Sequence, residues 1–315
     1  MRLQKDKRYR IRTGRASRLD GKRKGMSYVR DNRGLSFIII TAVYILAGIT
    51  GFYTYNILSF DIWLNLLIAD ALATVVVYIF SIIFGNASVY DPYWSVQPIV
   101  ILILFIIGKE INLTKALLVI AVSLWAIRLT ANWAYTFSSL NHQDWRYTML
   151  KINTGAFYPI INFIGIHMVP TVVVYFCILP AVYLVCSDIS FKPLSLVCFA
   201  VSLAAIVLQG TADIQMHKYR KNRSSVFIEK GVWKHSRHPN YLAEILMWWA
   251  IAFYVLVHTG FMWYSLIGCI ANTLLFLFVS IPLAEGKQSK KEGYAEYRSR
   301  TRSLLLIPKY KKNST

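Results

Sequence analysis

The stretch SRHPNYLAEILMWWAIAFYVLV, residues 236–257, decides the fold class. It places a proline where the first helical turn tolerates one, and it continues as an apolar run of about 20 residues, the length that crosses a roughly 30 Å hydrocarbon core. Glu244 is the only acidic residue in the run, and it must face a polar cavity because exposure to lipid is too costly. The stretch therefore predicts a membrane helix with one functional face, which carries Asn240, Glu244 and Trp248 at i, i+4 and i+8.

The composition agrees with a membrane protein. Of the 315 residues, 56% are hydrophobic and only 16% are charged, whereas soluble domains carry nearer a quarter charged residues. The apolar runs lie at 36–56, 60–84, 96–109, 114–137, 158–186, 193–213, 240–257 and 261–283. The third is short for a full crossing, and the fifth is long and contains Pro170. The sequence thus predicts an all-α polytopic membrane bundle with seven or eight transmembrane helices.

Positive charge is concentrated outside these runs. Segments 1–34, 214–238 and 285–315 hold thirteen, seven and nine of the 35 Lys and Arg residues. Because cytosolic flanks are enriched in Lys and Arg, both termini and the connectors 85–95, 138–157 and 214–238 are predicted to face the cytosol. The expected location is the cytoplasmic membrane of a bacterium or the endoplasmic reticulum of a eukaryote. A nucleic-acid partner is not expected, because the remainder of the chain is mostly apolar.

A polar stripe follows one apolar run as it ends. Gln209, Asp213 and His217 fall at i, i+4 and i+8, and Arg220 follows within a basic cluster. An ionisable residue such as Asp213 near the end of a span is a functional candidate by default. A helix end with snorkelling cations is the structural alternative for the basic cluster.

The segment around Pro239 is a candidate anion site. The free N–H groups and the dipole of a helix N-terminus attract anions, and the adjacent Arg237 and His238 add cationic donors. The same segment also carries Asn240, Tyr241 and Glu244 close to Pro239. A phosphate or carboxylate is the expected ligand.

Arg128 and Asn132 form a third group, at i and i+4 within the segment WAIRLTANW, residues 125–133. An arginine in an apolar helix needs an anion, for which Asp91, Asp144, Glu244 or a cofactor phosphate are the candidates. A purely structural ion pair remains an alternative. No His, Cys or acidic spacing suits a metal, so no metal is expected, and the motifs of soluble nucleotide-binding and hydrolase folds are absent.

With these motifs the sequence resembles the membrane reductases of the steroid 5-alpha-reductase family, including its DUF1295 branch. The segments YDPYWSVQP, LWAIRLTANW, QDWRY, ADIQMHKYR, GVWKHSRHPNY, SIPLAEGK and GYAEYRSRTRSLLLIP follow in the family's order over roughly residues 88–309. Sterol C14 and C7 reductases and isoprenylcysteine carboxyl methyltransferases have similar R-H-P-x-Y segments. Together with the charge and hydropathy pattern, the resemblance predicts four segments: a basic cytosolic tail expected to be disordered (1–34), N-terminal transmembrane helices (35–87), a reductase-like transmembrane domain with cytosolic cofactor-binding loops (88–309) and a short C-terminal tail (310–315).

The resemblance implies that the last helices and the C-terminal segment bind NADPH from the cytosol. Carried over to this sequence, the cofactor-binding candidates are Arg128, Asn132, Asp213, His217, Arg220, Arg237, His238, Asn240, Tyr241 and Glu244. Steroid-reducing relatives polarise a ketone with a glutamate and a tyrosine, and here Gln97 and Trp125 stand near those places. Glutamine cannot supply a proton, so the proton is expected from Tyr93, Asp91, Tyr147 or water.

The function predicted from these observations is NADPH-dependent reduction of an enone-like C=C bond in a lipid-soluble substrate. One alternative is an S-adenosylmethionine-dependent methyltransferase acting on a lipid or a prenyl-cysteine. Because that cofactor lacks phosphates, the many basic residues favour NADPH. The other alternative is a non-catalytic lipid-binding bundle with structural polar residues. Membrane lipids are expected partners in each case.

Overall fold

The computed structural model describes residues 30–222 and 225–307. Helices dominate these residues, and no β-strand forms among them. The α-helices are α1 (Arg33–Ile57), α2 (Ile62–Phe84), α3 (Tyr93–Ile106), α4 (Leu113–Thr136), α5 (Trp145–Thr154), α6 (Tyr158–Ile161), α7 (Val169–Cys186), α8 (Leu194–Asn222), α9 (Pro239–Thr259), α10 (Ile267–Leu275), α11 (Ile281–Gln288) and α12 (Tyr294–Arg300). Short 3₁₀ turns precede α3 and α9, and π-helical turns precede α7 and α11.

Eight stretches in the described part of the chain are long and apolar enough to cross a membrane. This confirms the polytopic all-α bundle and favours eight crossings over seven. The stretch that overlaps the short third run covers Ala87–Ile106, because helical structure starts before the apolar run does and ends at Ile106. The fifth stretch is longer than the apolar run and covers Trp145–Cys186.

Local sequence explains where several helices begin, end or deform. Asn32 caps α1 by accepting a hydrogen bond from the Leu35 N–H, and Gly85 ends α2 in the left-handed conformation at φ 59°. Pro239 is the first residue of α9, as its spacing predicts. The π-helical turn Asn162–Met168 leads into Pro170, which lacks the N–H that an α-helical ladder needs there.

The helices form two compact units. The first comprises Met1–Tyr93 and Ala134–Val169, and the second comprises Trp94–Trp133 and Pro170–Thr315. In the first, α1 packs on α2, with Gly51 close enough to the Ala69 carbonyl that an added Cβ would lie 3.5 Å from its oxygen. In the second, a core from α3, α4, α7, α8, α9 and α10 surrounds the fully buried Trp125 and Trp248. The domain boundaries drawn from the sequence stay a prediction.

Contacts within each unit agree with the predicted grouping of the connectors. In the first unit, the Asn86 side-chain amide donates to the carbonyls of Leu140 and His142 at 2.6 and 3.1 Å, so connectors 85–95 and 138–157 meet. In the second, residues 301–303 contact the loop before α9. The tail residues 1–29 and 308–315, including most of the predicted disordered tail, lie outside the described residues.

Candidate functional site

A buried carboxylate is the innermost element of the site in the second unit. Glu244 of α9 is 1% exposed and accepts hydrogen bonds from three side chains. The Trp125 indole N–H lies 3.0 and 2.9 Å from its two oxygens, the Trp248 indole donates to Oε1 at 2.9 Å, and the Gln209 amide donates to Oε2 at 2.7 Å. The predicted cavity-facing carboxylate therefore has its polar partners supplied by α4, α8 and α9.

An ion pair follows one turn along α4 and α8. Arg128 Nη1 donates to Asp213 Oδ2 at 2.8 Å, and the two side chains are 15% and 17% exposed. The sequence-based candidates for the counter-ion were Asp91, Asp144, Glu244 and a phosphate, so Asp213 is a correction to that set. Arg128 Nε and Nη2 are buried and have no hydrogen-bond partner among the described residues.

A third polar contact joins α4 and α8, one turn beyond the ion pair. His217 Nε2 lies 2.7 Å from Asn132 Oδ1, and both residues are partly exposed. Gln209, Asp213 and His217 on α8 thus face Trp125, Arg128 and Asn132 on α4, either directly or through Glu244. We call these seven residues the polar ladder. It runs from a fully buried carboxylate to partly solvated side chains, and exposed Arg220 lies one turn beyond its outer end.

A second carboxylate, Glu285 of α11, binds Arg237 and His238 in residues 237–239, which we call the R-H-P segment. Arg237 Nε and His238 Nε2 contact Glu285 Oε1 at 2.9 and 2.7 Å, and the Tyr294 hydroxyl donates to the same oxygen at 2.9 Å. Arg237 Nη1 also donates to the Thr301 carbonyl. Most donors that the sequence assigned to an anionic ligand are therefore engaged within the protein.

Electrostatics around this carboxylate affect the neighbouring tyrosine. The pKa of Tyr294 is raised well above its ordinary value, first by burial and then by its hydrogen bond to the Glu285 carboxylate. A tyrosine hydroxyl is protonated at physiological pH in any case, and the raised pKa keeps it a hydrogen-bond donor at more alkaline pH as well. Tyr241, also predicted for the site, stacks on the His238 ring at a centroid distance of 5.3 Å, while Asn240 is partly exposed in the first turn of α9.

A groove of about 390 Å³ opens beside the R-H-P segment. It is lined by Arg237, Arg302, Ser303, Leu304 and Leu305. Its wall is mainly apolar, and four of its five lining residues come from the C-terminal segment.

The predicted catalytic residues divide between the units. In the first, the Tyr147 hydroxyl donates to Asp91 Oδ1 at 2.7 Å, so these two candidates come together. Tyr93 is 6% exposed and its hydroxyl points to Asp70 Oδ1 at 3.4 Å. Gln97 belongs to the second unit and is 6% exposed.

Two buried acidic residues had no role in the sequence-based site. Asp70 is 4% exposed within α2, where an ionisable residue inside a span should have marked it as a candidate. Glu285 lies in the segment SIPLAEGK, but its partners His238 and Arg237 are 47 and 48 residues away along the chain. Within residues 30–222 and 225–307, no group of three His, Cys, Asp or Glu residues could hold a metal ion.

Comparison with known proteins identifies the family. The family model described as "Protein of unknown function (DUF1295)" matches residues 77–301, which is well over half of the chain. The chain belongs to the DUF1295 family. The match covers every residue of the polar ladder, the R-H-P segment and Glu285, so these features lie within the family domain.

A similar protein is "Uncharacterized protein C594.04c" of Schizosaccharomyces pombe (strain 972 / ATCC 24843). It is 25% identical over 221 residues, a match that covers 58% of this chain and 63% of the relative. The chain thus spans less than two thirds of that relative's length. No solved structure matches.

Proposed function

We propose that this DUF1295 protein is an NADPH-dependent membrane oxidoreductase that reduces an enone-like C=C bond in a lipid-soluble substrate. The observation that carries the proposal is Arg128. Its Nη1 is paired with Asp213, but its Nε and Nη2 are buried and have no hydrogen-bond partner within residues 30–222 and 225–307. Buried cationic donors normally have partners, and the Nε–Nη2 edge of arginine is the fork that fits a phosphate or carboxylate. These donors support binding of an anionic ligand next to the polar ladder.

The predicted phosphate-binding residues differ in whether their donors are available to a dinucleotide phosphate. Arg128 offers an unsatisfied fork, and exposed Arg220 adds positive charge one turn beyond the ladder. Arg237 and His238 instead bind Glu285, so they fit a role in holding the C-terminal segment. We therefore rank Arg128 above Arg237 as the phosphate-binding residue. The R-H-P motif considered alone would favour Arg237.

The other ladder residues would position the cofactor. Asn132 and His217 present hydrogen-bonding groups beyond Arg128, and Asp213 fixes the guanidinium so that its fork points away from the ion pair. When bound, NADPH supplies a hydride for the β-carbon of the substrate. Glu244 has its oxygens occupied by three donors and would act by orienting Gln209 and the two indoles.

The substrate oxygen needs a donor as negative charge develops on it. Gln97 can donate a hydrogen bond through its amide but cannot release a proton. In the first unit, the Tyr147 hydroxyl donates to Asp91 and the Tyr93 hydroxyl points to Asp70, and these two hydroxyls stay the sequence-based candidates for the proton donor. General acid assistance of this kind is typically worth about 10²–10⁴-fold in rate.

The proposal is tested by calorimetric titration of the detergent-purified protein with NADPH, NADH and S-adenosylmethionine. Preferential binding of NADPH is expected. Arg128→Gln should weaken NADPH binding by roughly 10- to 100-fold, because a charge-assisted hydrogen bond is worth about 1.5–3 kcal/mol.

The matched control is Lys218→Gln, which removes an exposed positive charge from α8, the helix that carries the Arg128 counter-ion Asp213. A much smaller loss of affinity is expected, since an exposed charge is screened by solvent and salt. Equal losses in the two variants would contradict a specific role for Arg128. Preference for S-adenosylmethionine would instead indicate methyl transfer.

A non-catalytic lipid-binding bundle is the second candidate, and one observation favours it. Glu244, Asp213 and His217 all have protein partners, as expected if the ladder only holds the helices together. This candidate predicts that none of the three nucleotides binds.

A further inference from the structure

The C-terminal end of the described chain exposes three consecutive apolar residues. Leu305, Leu306 and Ile307 are 50%, 39% and 61% exposed. A run of this kind in an aqueous loop is unfavourable and marks an interaction surface. These residues follow α12, outside the candidate membrane spans, so crossing the bilayer does not explain their exposure.

The backbone immediately before them is fixed at the start of a membrane helix. The N–H groups of Arg237 and His238 donate to the carbonyls of Arg302 and Ser303, both at 3.0 Å. The Ser236 hydroxyl also donates to the Ser303 carbonyl at 3.1 Å. Because Pro239 begins α9, residues 302–303 lie at the level where that helix enters the bilayer, which is the interfacial layer.

The charge around this segment matches an anionic surface. Residues 285–315 contain nine Lys and Arg residues against three Glu residues. Arg298 and Arg300 have exposed side chains, at 60% and 55%. Each also pairs with protein carboxylates, Arg298 with Glu285 and Arg300 with Glu229 and Glu296, so the excess positive charge of the segment rests on its overall composition. Basic residues close to a leaflet are attracted to anionic lipids, while adjacent apolar residues enter the boundary between headgroups and acyl chains.

We infer that residues 305–307 dock into the headgroup layer of an anionic leaflet, on the membrane face where α9 begins, and thereby tether the C-terminal segment to the bilayer. The partner is the phospholipid surface itself. Residues 301–303 also contact Arg237, so the lipid contact would hold in place the chain segment that packs against Arg237 and His238. The inference does not depend on the proposed reductase activity.

The test uses the full chain in lipid nanodiscs with an environment-sensitive fluorophore on Leu306→Cys. The matched control is Ser299→Cys, an exposed position on α12, and labelled wild-type protein measures background from the four native cysteines. Quenching by acyl-chain-brominated lipids is compared in phosphatidylcholine discs with and without roughly one-third phosphatidylserine.

The label at 306 should be quenched at least about threefold more strongly than the label at 299, since only the former would reach the acyl boundary. Quenching at 306 should increase with phosphatidylserine and weaken at high salt. Leu305→Ser combined with Ile307→Ser should reduce it to the level at 299, and intact gel-filtration behaviour establishes that this variant is folded. Equal quenching of the labels at 306 and 299 would overturn the inference. So would quenching at 306 that does not respond to phosphatidylserine, or quenching at 306 that NADPH abolishes.

Discussion

Replacing the innermost carboxylate tests whether the polar ladder holds the second unit together. In Glu244→Gln one carboxylate oxygen becomes an NH₂ group, which cannot accept a hydrogen bond. Oε1 receives Trp125 and Trp248, and Oε2 receives Trp125 and Gln209. Whichever oxygen is replaced, one buried donor loses its acceptor and faces another donor.

The cost follows from these contacts. An orphaned buried donor costs about 1–3 kcal/mol, and the bonds that remain lose their charge assistance. Arg128 also loses the nearby charge of Glu244. Relief from burying a charge offsets part of this, so the net loss in free energy of unfolding should be about 2–4 kcal/mol. For a unit of this size the melting temperature should fall by roughly 5–15 °C.

The assay is thermal unfolding of the purified protein in one detergent, monitored by tryptophan fluorescence and by circular dichroism. Glu296→Gln is the control, because that side chain is 77% exposed and should change stability by under about 1 kcal/mol. Trp248→Phe removes one donor, and its effect should be non-additive with Glu244→Gln. Equal melting temperatures for Glu244→Gln and Glu296→Gln would refute the ladder as a stabilising network.

Three further predictions concern the last helices. Gly268→Ala should lower the free energy of unfolding by about 1–3 kcal/mol or more, because an added Cβ would collide with the backbone of Cys177. Gly286→Ala lies in the same span but its Cβ would meet nothing within 4 Å, so it should raise the free energy of unfolding by about 0.5–1 kcal/mol. Thermal melts compare the two variants. Glu285→Gln should loosen the C-terminal segment and speed tryptic cleavage after its arginines, with Tyr294→Phe giving a smaller effect because it removes only one of the bonds to Glu285; equal cleavage rates in wild type and Glu285→Gln would contradict this. The pKa of Tyr294 is higher in the folded protein than in the unfolded chain. Its contribution to the free energy of unfolding should therefore be complete below about pH 10 and be lost progressively as the pH rises from there through the folded-state pKa. Absorbance titration of the wild type against Tyr294→Phe should show one tyrosine that titrates at higher pH than a free phenol.

The faces of individual helices could be predicted from the sequence. The i, i+4, i+8 spacing placed Gln209, Asp213 and His217 on one face of α8, where the structure has them. The same reasoning placed Glu244 and Trp248 together on α9, and Trp248 does donate to Glu244 at 2.9 Å. These predictions hold because the helical repeat is fixed by the backbone and is independent of the rest of the protein.

The partners of those faces could not be predicted in the same way. Asp213 was identified as a functional candidate and Arg128 as needing an anion, yet their pairing across 85 residues was missed. The donors of Arg237 and His238 were assigned to an external anion, whereas the structure gives most of them to Glu285 and the 301 carbonyl. Asp70, beside the Tyr93 hydroxyl, was overlooked altogether.

The sequence by itself therefore determined the membrane class, the number of apolar segments and which polar residues share a helix face. Each of these depends on hydropathy and on a repeat of 3.6 residues, both of which are local properties. Only the tertiary structure decided that α4 and α8 align Arg128 with Asp213 and that α11 brings Glu285 to the start of α9. The rotation and axial register of one helix against another are set by how their side chains pack, and no spacing along a single segment contains that information.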